Sequence, residues 1–188
     1  MPGVVNLANF FTILRLGLAP FVVLAILQGN HLLALVLFIA AGVTDVIDGA
    51  VARGFSLATQ SGAYLDPIAD KCLLSGIFLA MGSSGIIPWW FVAIVFGRDL
   101  YILVGVLGFL ALTKIRKFPP SVWGKASTFV QISTAVVWMA RNIWMARNIP
   151  NVPVVVALSS AMLWVCAVFT IWSGLDYTLR GFQLMRAH

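Results

Sequence analysis

Six apolar stretches follow one another along this chain, separated by short polar breaks. They run from about Phe10 to Leu27, from His31 into the region of Asp45 and Asp48, from Gly62 to Met81, from Pro88 to Leu112, from Val122 to Trp144 and from Val154 to Tyr177. A helix needs about 20 residues to cross the hydrocarbon of a bilayer, and each stretch is close to that. The breaks carry turn-forming or charged residues: Gln28, Gly29 and Asn30, then a polar run from Arg53 to Ser61, then Gly82 to Gly85. Further on come Lys114, Arg116, Lys117 and the pair Pro119 and Pro120, then Arg147 to Pro153. Trp89 and Trp90 stand where interfacial anchors belong. Of 188 residues, 61% are hydrophobic and 10% charged, against roughly half and a quarter in soluble domains. Mean hydropathy is +1.01. These values exclude a soluble globule, a disordered chain and a nucleic-acid module. The expectation is an all-α integral membrane protein with six transmembrane helices, residues 1–188 forming a single domain.

Twelve basic residues face six acidic ones, for a net charge of +6. Beside membrane spans such an excess meets anionic lipid headgroups, so the partner is membrane lipid, not nucleic acid. The connections after the second and fourth stretches and the C-terminal tail hold Arg53, Lys114, Arg116, Lys117, Arg180 and Arg186. Lys125 sits just inside the fifth stretch, and only Arg141 and Arg147 fall on the opposite side. The positive-inside rule then puts both termini in the cytoplasm. No basic region of a cleaved signal peptide precedes the first stretch, so that stretch is expected to remain in the mature protein. This fits a multi-pass protein of a bacterial inner membrane. Cys72 and Cys166 lie far apart in apolar runs and read as packing residues. A hexad occurs at 138–143 and again at 144–149. It is too short for a repeat architecture and reads as a local lengthening of the fifth span.

The acids are more informative. There is no Glu, and four of the six Asp residues fall between Asp45 and Asp70. Asp45 and Asp48 are three apart and Asp66 and Asp70 four apart, so on helices each pair shares a face. A short polar connection joins the two, and antiparallel helices would gather all four. Ionised carboxylates at a membrane are costly and repel one another. Bound cations would resolve this, and oxygen-only ligands suit Mg, Ca or Mn. Four carboxylates suffice for a two-metal site acting on a phosphoryl group. The alternative is a set of solvated acids neutralised by Arg53 and Lys71. Gly49, Ala52 and Gly62 are small enough to let a ligand or a helix come close. Arg53 could take a phosphate or anchor its helix.

The residues Asp45, Asp48, Gly49, Ala52, Arg53, Gly62, Asp66 and Asp70 match, in order and spacing, the signature D-x2-D-G-x2-A-R-x8-G-x3-D-x3-D. The chain thereby resembles the CDP-alcohol phosphatidyltransferases. Asn9, Thr12 and Arg15 look like the family's first-span motif. Gly97, Arg98 and Asp99, with Gly124, Lys125, Thr128 and Gln131, look like features of the branch making phosphatidylglycerophosphate or cardiolipin. The resemblance implies a polar cavity among the six helices, open to the cytoplasmic side, and a homodimer. It implies that Asp45, Asp48, Asp66 and Asp70 hold two divalent cations, Mg or Mn, with Asp70 also the general base. It implies that Gly49, Ala52, Arg53 and Gly62 receive the cytidine nucleotide of CDP-diacylglycerol.

A covalent route would need an activated nucleophile, yet the two histidines, His31 and His188, fall in an expected external loop and at the terminus. Arg98 lies mid-span. An intramembrane arginine faces a cavity or a partner, so Arg98, with Lys125, either binds an anionic acceptor or pairs with an aspartate between helices. The leading expectation is transfer of a phosphatidyl group to glycerol 3-phosphate with release of CMP. The alternative is a cardiolipin synthase using phosphatidylglycerol as acceptor. A reading of another kind is a divalent-cation transporter, against which stands the absence of a repeated hydropathy pattern between the halves.

Overall fold

The computed structural model describes the backbone of residues 2–54, 60–112, 121–147 and 152–186, and the side chains of 14–44, 71–105, 121–147 and 153–181. The described residues form six α-helices and no strand. They are α1 (Pro2–Leu27), α2 (His31–Gly54), α3 (Gln60–Ser83), α4 (Trp89–Leu112), α5 (Val122–Ala146) and α6 (Val152–Arg186). Each apolar stretch is thus one helix, but three ends move. Helix α1 begins at Pro2 rather than Phe10, with proline in the first turn, where its missing N–H costs nothing. Helix α2 runs beyond Asp48 to Gly54 and carries Arg53, which the hydropathy pattern assigns to a loop. Helix α6 continues past Tyr177 through Arg180 to Arg186. Hydropathy marks where lipid-compatible sequence stops, whereas helical hydrogen bonding continues into polar sequence. Arg180 Nε reaches back one turn to Asp176 Oδ2 at 2.8 Å, an i,i+4 pair of the kind that supports an exposed helix end.

The chain divides into two compact units, residues 1–86 with 142–148, and residues 87–141 with 149–188. In the first, α1 packs against both α2 and α3. Its core draws Val22 and Ile26 from α1, Ala34, Phe38 and Ala41 from α2, and Leu74, Ile77, Phe78 and Met81 from α3. Spacings of three and four keep each set on one helical face. Gly76 lets α1 approach α3: a Cβ there would stand 3.2 Å from Val23 Cγ2. Helices α1 and α3 end in the same way. Gly29, at φ 73°, donates to Ile26 O while Asn30 N donates to Ala25 O. Gly85, at φ 68°, donates to Gly82 O while Ile86 N donates to Met81 O. This paired 5→2 and 6→1 bonding needs a left-handed residue at C′, which glycine adopts without strain. Asn30 then caps α2 by accepting from Leu33 N at 3.2 Å.

In the second unit, α5 and α6 meet along two matching seams. Buried residues on α5 are Gly124, Ser127, Gln131, Thr134, Ala135, Trp138 and Met139, five of which, Gly124, Ser127, Gln131, Thr134 and Trp138, recur at spacings of three, four, three and four. On α6 Ser159, Leu163, Cys166, Thr170 and Ser173 are buried at spacings of four, three, four and three, together with Ala167 and Gly174. Residues so spaced share one face of each helix, and polar side chains are prominent on it. Thr170 Oγ1 accepts from Gln131 Nε2 at 3.3 Å and from Ser127 Oγ at 3.4 Å. Trp138 Nε1 donates to Ser159 O at 3.0 Å. The outward face of α6 is the reverse, with Leu158, Trp164, Val168, Trp172 and Leu179 all exposed. A row of large exposed apolar side chains like this is uncommon on a water-soluble domain.

Candidate functional site

Asp45, Asp48, Gly49, Ala52 and Arg53 fall on the C-terminal part of α2, and Gly62, Asp66 and Asp70 on the N-terminal half of α3. The backbone is helical through both segments. Five residues, 55–59, join the two helices. Extended chain spans at most about 3.6 Å per residue, so this short connection tethers Gly54 to Gln60. Both helices pack on α1. The side chains of these eight residues lie outside the described ones, as does the polar cavity expected around them. On α1, Arg15 is 1% exposed, the largest fully buried side chain described, and it is engaged by other groups. A charge in such a place is held only with partners. The sequence places Arg15 in a stretch that resembles the family's first-span motif, and the fold adds its burial.

The second unit surrounds Arg98 with groups from three helices. Arg98, on α4, has a side chain 8% exposed. Its Nη1 donates to Asp99 Oδ1 at 2.7 Å and its Nη2 to Ser173 Oγ on α6. The guanidinium carbon lies 5.9 Å from the centre of the Tyr177 ring, within cation–π range. Its Nε is buried with no acceptor among the described residues. Gly124 on α5 completes the enclosure. A Cβ there would lie 3.2 Å from Tyr177 Cε2 and 3.6 Å from Arg98 Nη2, so glycine leaves room for both side chains. Lys125 follows directly and is exposed. The structure therefore brings Arg98 beside the turn of α5 that carries Lys125, and it also forms the Arg98–Asp99 pair.

One turn away, Asp176 accepts from Ser121 Oγ and from Arg180 Nε. Ser121 is the N-cap of α5, with Gly124 N donating to its Oγ at 3.4 Å. Asp176 thus ties the C-terminal part of α6 to the start of α5. Ser173, Asp176 and Tyr177 were not picked out by sequence reasoning. A serine within an apolar span is common packing material, and only the fold sets these three against Arg98 and Ser121. Among the described residues no group of three or more His, Cys, Asp or Glu could hold a metal ion.

Residues 5–172 match the CDP-alcohol phosphatidyltransferase family, and the chain belongs to it. A probable phosphatidylglycerophosphate synthase of Mycobacterium tuberculosis is 33% identical over 188 residues, 96% of this chain and 83% of that protein. The CDP-diacylglycerol–glycerol-3-phosphate 3-phosphatidyltransferase of Bacillus subtilis is 29% identical over 196 residues, covering 96% of this chain and 97% of its own length. A probable CMP-forming cardiolipin synthase of Drosophila melanogaster is 30% identical over 148 residues, 70% of this chain and 46% of that protein.

Proposed function

We propose that the chain transfers a phosphatidyl group from CDP-diacylglycerol to the hydroxyl of glycerol 3-phosphate and releases CMP. The observation that carries this reading is the complete eight-residue aspartate signature, set on two helices joined by five residues. Relatives that span nearly the whole chain bear the matching name. In this reading Asp45, Asp48, Asp66 and Asp70 hold two divalent cations, Mg or Mn, and Gly49, Ala52, Arg53 and Gly62 receive the cytidine nucleotide. Asp70 accepts the proton of the acceptor hydroxyl as its oxygen bonds to the phosphorus attached to diacylglycerol. The bond from that phosphorus to CMP breaks, and CMP takes the electron pair. Bound cations supply neutralisation of the charge that develops on the leaving group. Arg98 and Lys125 hold the acceptor's phosphate, because a guanidinium forks onto phosphate oxygens and an uncharged alcohol has no use for either.

All six helices cross the membrane in this reading, with the site facing the cytoplasm. Lengths of 24 to 35 residues exceed the roughly 20 needed. Among the described residues, Pro153–Gly181 of α6 is by itself long and apolar enough, with a mean hydropathy of 2.4 over its 18-residue apolar window. The outward Leu, Val and Trp side chains of α4 and α6 suit contact with lipid. The test supplies purified full-length protein with CDP-diacylglycerol, Mg or Mn, and one acceptor at a time. CMP release with glycerol 3-phosphate is the expected result. Release with phosphatidylglycerol alone overturns the acceptor and makes the protein a cardiolipin synthase. Cation flux into liposomes lacking CDP-diacylglycerol, with no CMP release under any condition, overturns the enzyme reading altogether.

A further inference from the structure

Ser173, Asp176, Tyr177 and Arg180 stand at i, i+3, i+4 and i+7 on α6, so they share one face of it. That face meets both Arg98 and the first turn of α5. Ser173 Oγ accepts from Arg98 Nη2. The Tyr177 ring lies over the Arg98 guanidinium and against the open side of Gly124. Asp176 reaches α5 itself: its Oδ2 accepts from Ser121 Oγ and, at 2.8 Å, from Arg180 Nε.

The first turn of α5 hangs on Ser121. Its backbone oxygen accepts from Lys125 N at 3.2 Å, and its Oγ accepts from Gly124 N at 3.4 Å. Gly124 O accepts in turn from Thr128 Oγ1 at 3.1 Å. A hydroxyl has one proton and two lone pairs, whereas an ionised carboxylate only accepts. Asp176 therefore fixes the Ser121 proton toward α6 and leaves a lone pair for the Gly124 N–H. At 3.4 Å that capping bond is long, so Ser121, 1% exposed, is held by Asp176 more than by the turn it caps.

We infer that Asp176 is a positioning residue for the acceptor: through Ser121 it fixes the first turn of α5 and so sets Lys125 in relation to Arg98. The inference rests on the proposed reading in which those two cations hold the acceptor's phosphate. A phosphate held from two helices binds more tightly when their separation is set beforehand, because ordering a loose helix end on binding costs affinity. Asp99 and Ser173 hold Arg98. Lys125 is exposed, and the backbone of its turn begins at Ser121.

The test measures CMP release by the full chain in detergent, with one substrate varied while the other saturates. Asp176→Ala should raise the KM for glycerol 3-phosphate about ten-fold, with kcat and the KM for CDP-diacylglycerol little changed. Ser121→Ala should raise it equally and the double variant no further, because each cuts the same tie. Ser121→Ala removes a single oxygen and carries the test if Asp176→Ala does not fold. Asp176→Asn should stay close to the wild type. Both donors converge on one oxygen, so an amide turns its own oxygen to them. An unchanged acceptor KM, a fall in kcat alone, additive rises in the double variant, or an Asn variant as poor as the Ala one overturns the inference. Backbone amide hydrogen exchange over 122–128, read by mass spectrometry, checks the tie without catalysis. It should quicken about ten-fold in Asp176→Ala and Ser121→Ala but not in Asp176→Asn, and unchanged exchange overturns the inference. Wild-type release of CMP with glycerol 3-phosphate, matched by the Ala variants, sinks the role of Asp176 and leaves the enzyme reading standing. Quickened exchange in a protein that releases no CMP with glycerol 3-phosphate keeps the tie between helices but overturns the acceptor reading, and the role of Asp176 falls with it.

Discussion

Replacing Arg98 with alanine separates an acceptor-binding arginine from one that only holds helices together. A hydrogen bond to a charged group contributes about 1.5–3 kcal/mol, and each 1.4 kcal/mol is a factor of about ten. Loss of one charge-assisted contact to the acceptor phosphate therefore raises the KM for glycerol 3-phosphate by about ten- to a hundred-fold. The KM for CDP-diacylglycerol is expected to change little. A structural cost accompanies this. Breaking a buried ion pair from one side costs about 3–5 kcal/mol. Asp99 is 15% exposed and has further interactions, so a loss on the order of 2 kcal/mol is the expectation here. The assay is CMP release with one substrate varied while the other saturates, beside thermal unfolding in the same detergent. A double variant, Arg98→Leu with Asp99→Leu, removes both charges together. Such replacements are often near neutral for stability, so it should recover much of the lost stability while the acceptor KM stays high. An unchanged acceptor KM in Arg98→Ala, or an equal rise for both substrates, would return Arg98 to a structural role.

Other expectations follow from single contacts. Asp66→Asn should abolish CMP release while the protein still folds, since it keeps shape and removes a charge that binds metal; full turnover counts against the metal reading. Thr170→Val removes the hydroxyl that Ser127 and Gln131 share, and leaving a buried amide unbonded should cost about 1–3 kcal/mol, read as a lower unfolding temperature. Trp138→Phe leaves Ser159 O without its indole donor and should cost a similar amount, about 1–3 kcal/mol; no loss of stability would show that water or another donor takes its place. Gly124→Leu should disturb activity more than Gly124→Ala, because Tyr177 and Arg98 already crowd that position; equal activity in the two would refute the packing argument.

Six helices and the places where they break could be read from residue type, since each break carries a residue with a local reason to end a helix. Gly29 and Gly85 adopt the left-handed backbone that their neighbours would resist. Helix ends were less legible. Arg53 and Arg180 look like loop residues by polarity, yet both lie within helices, because backbone hydrogen bonding does not stop where hydrophobicity does. The aspartate signature was visible because its spacing is local to two helices. Arg15 was visible in the first-span motif, but its burial was not.

Primary structure alone dictated a helical chain rich in lipid-compatible segments, the punctuation between them and the chemical family, because periodicity and motif spacing are properties of neighbouring residues. Long-range packing decided what surrounds Arg98. Asp99 is its neighbour in the chain, but Ser173 is 75 residues away and Gly124 belongs to a third helix. The two interlocking seams of α5 and α6 likewise arise from residues that look unremarkable in a linear reading. A serine or glycine carries no mark of which helix it will face, and only the fold assigns it a partner.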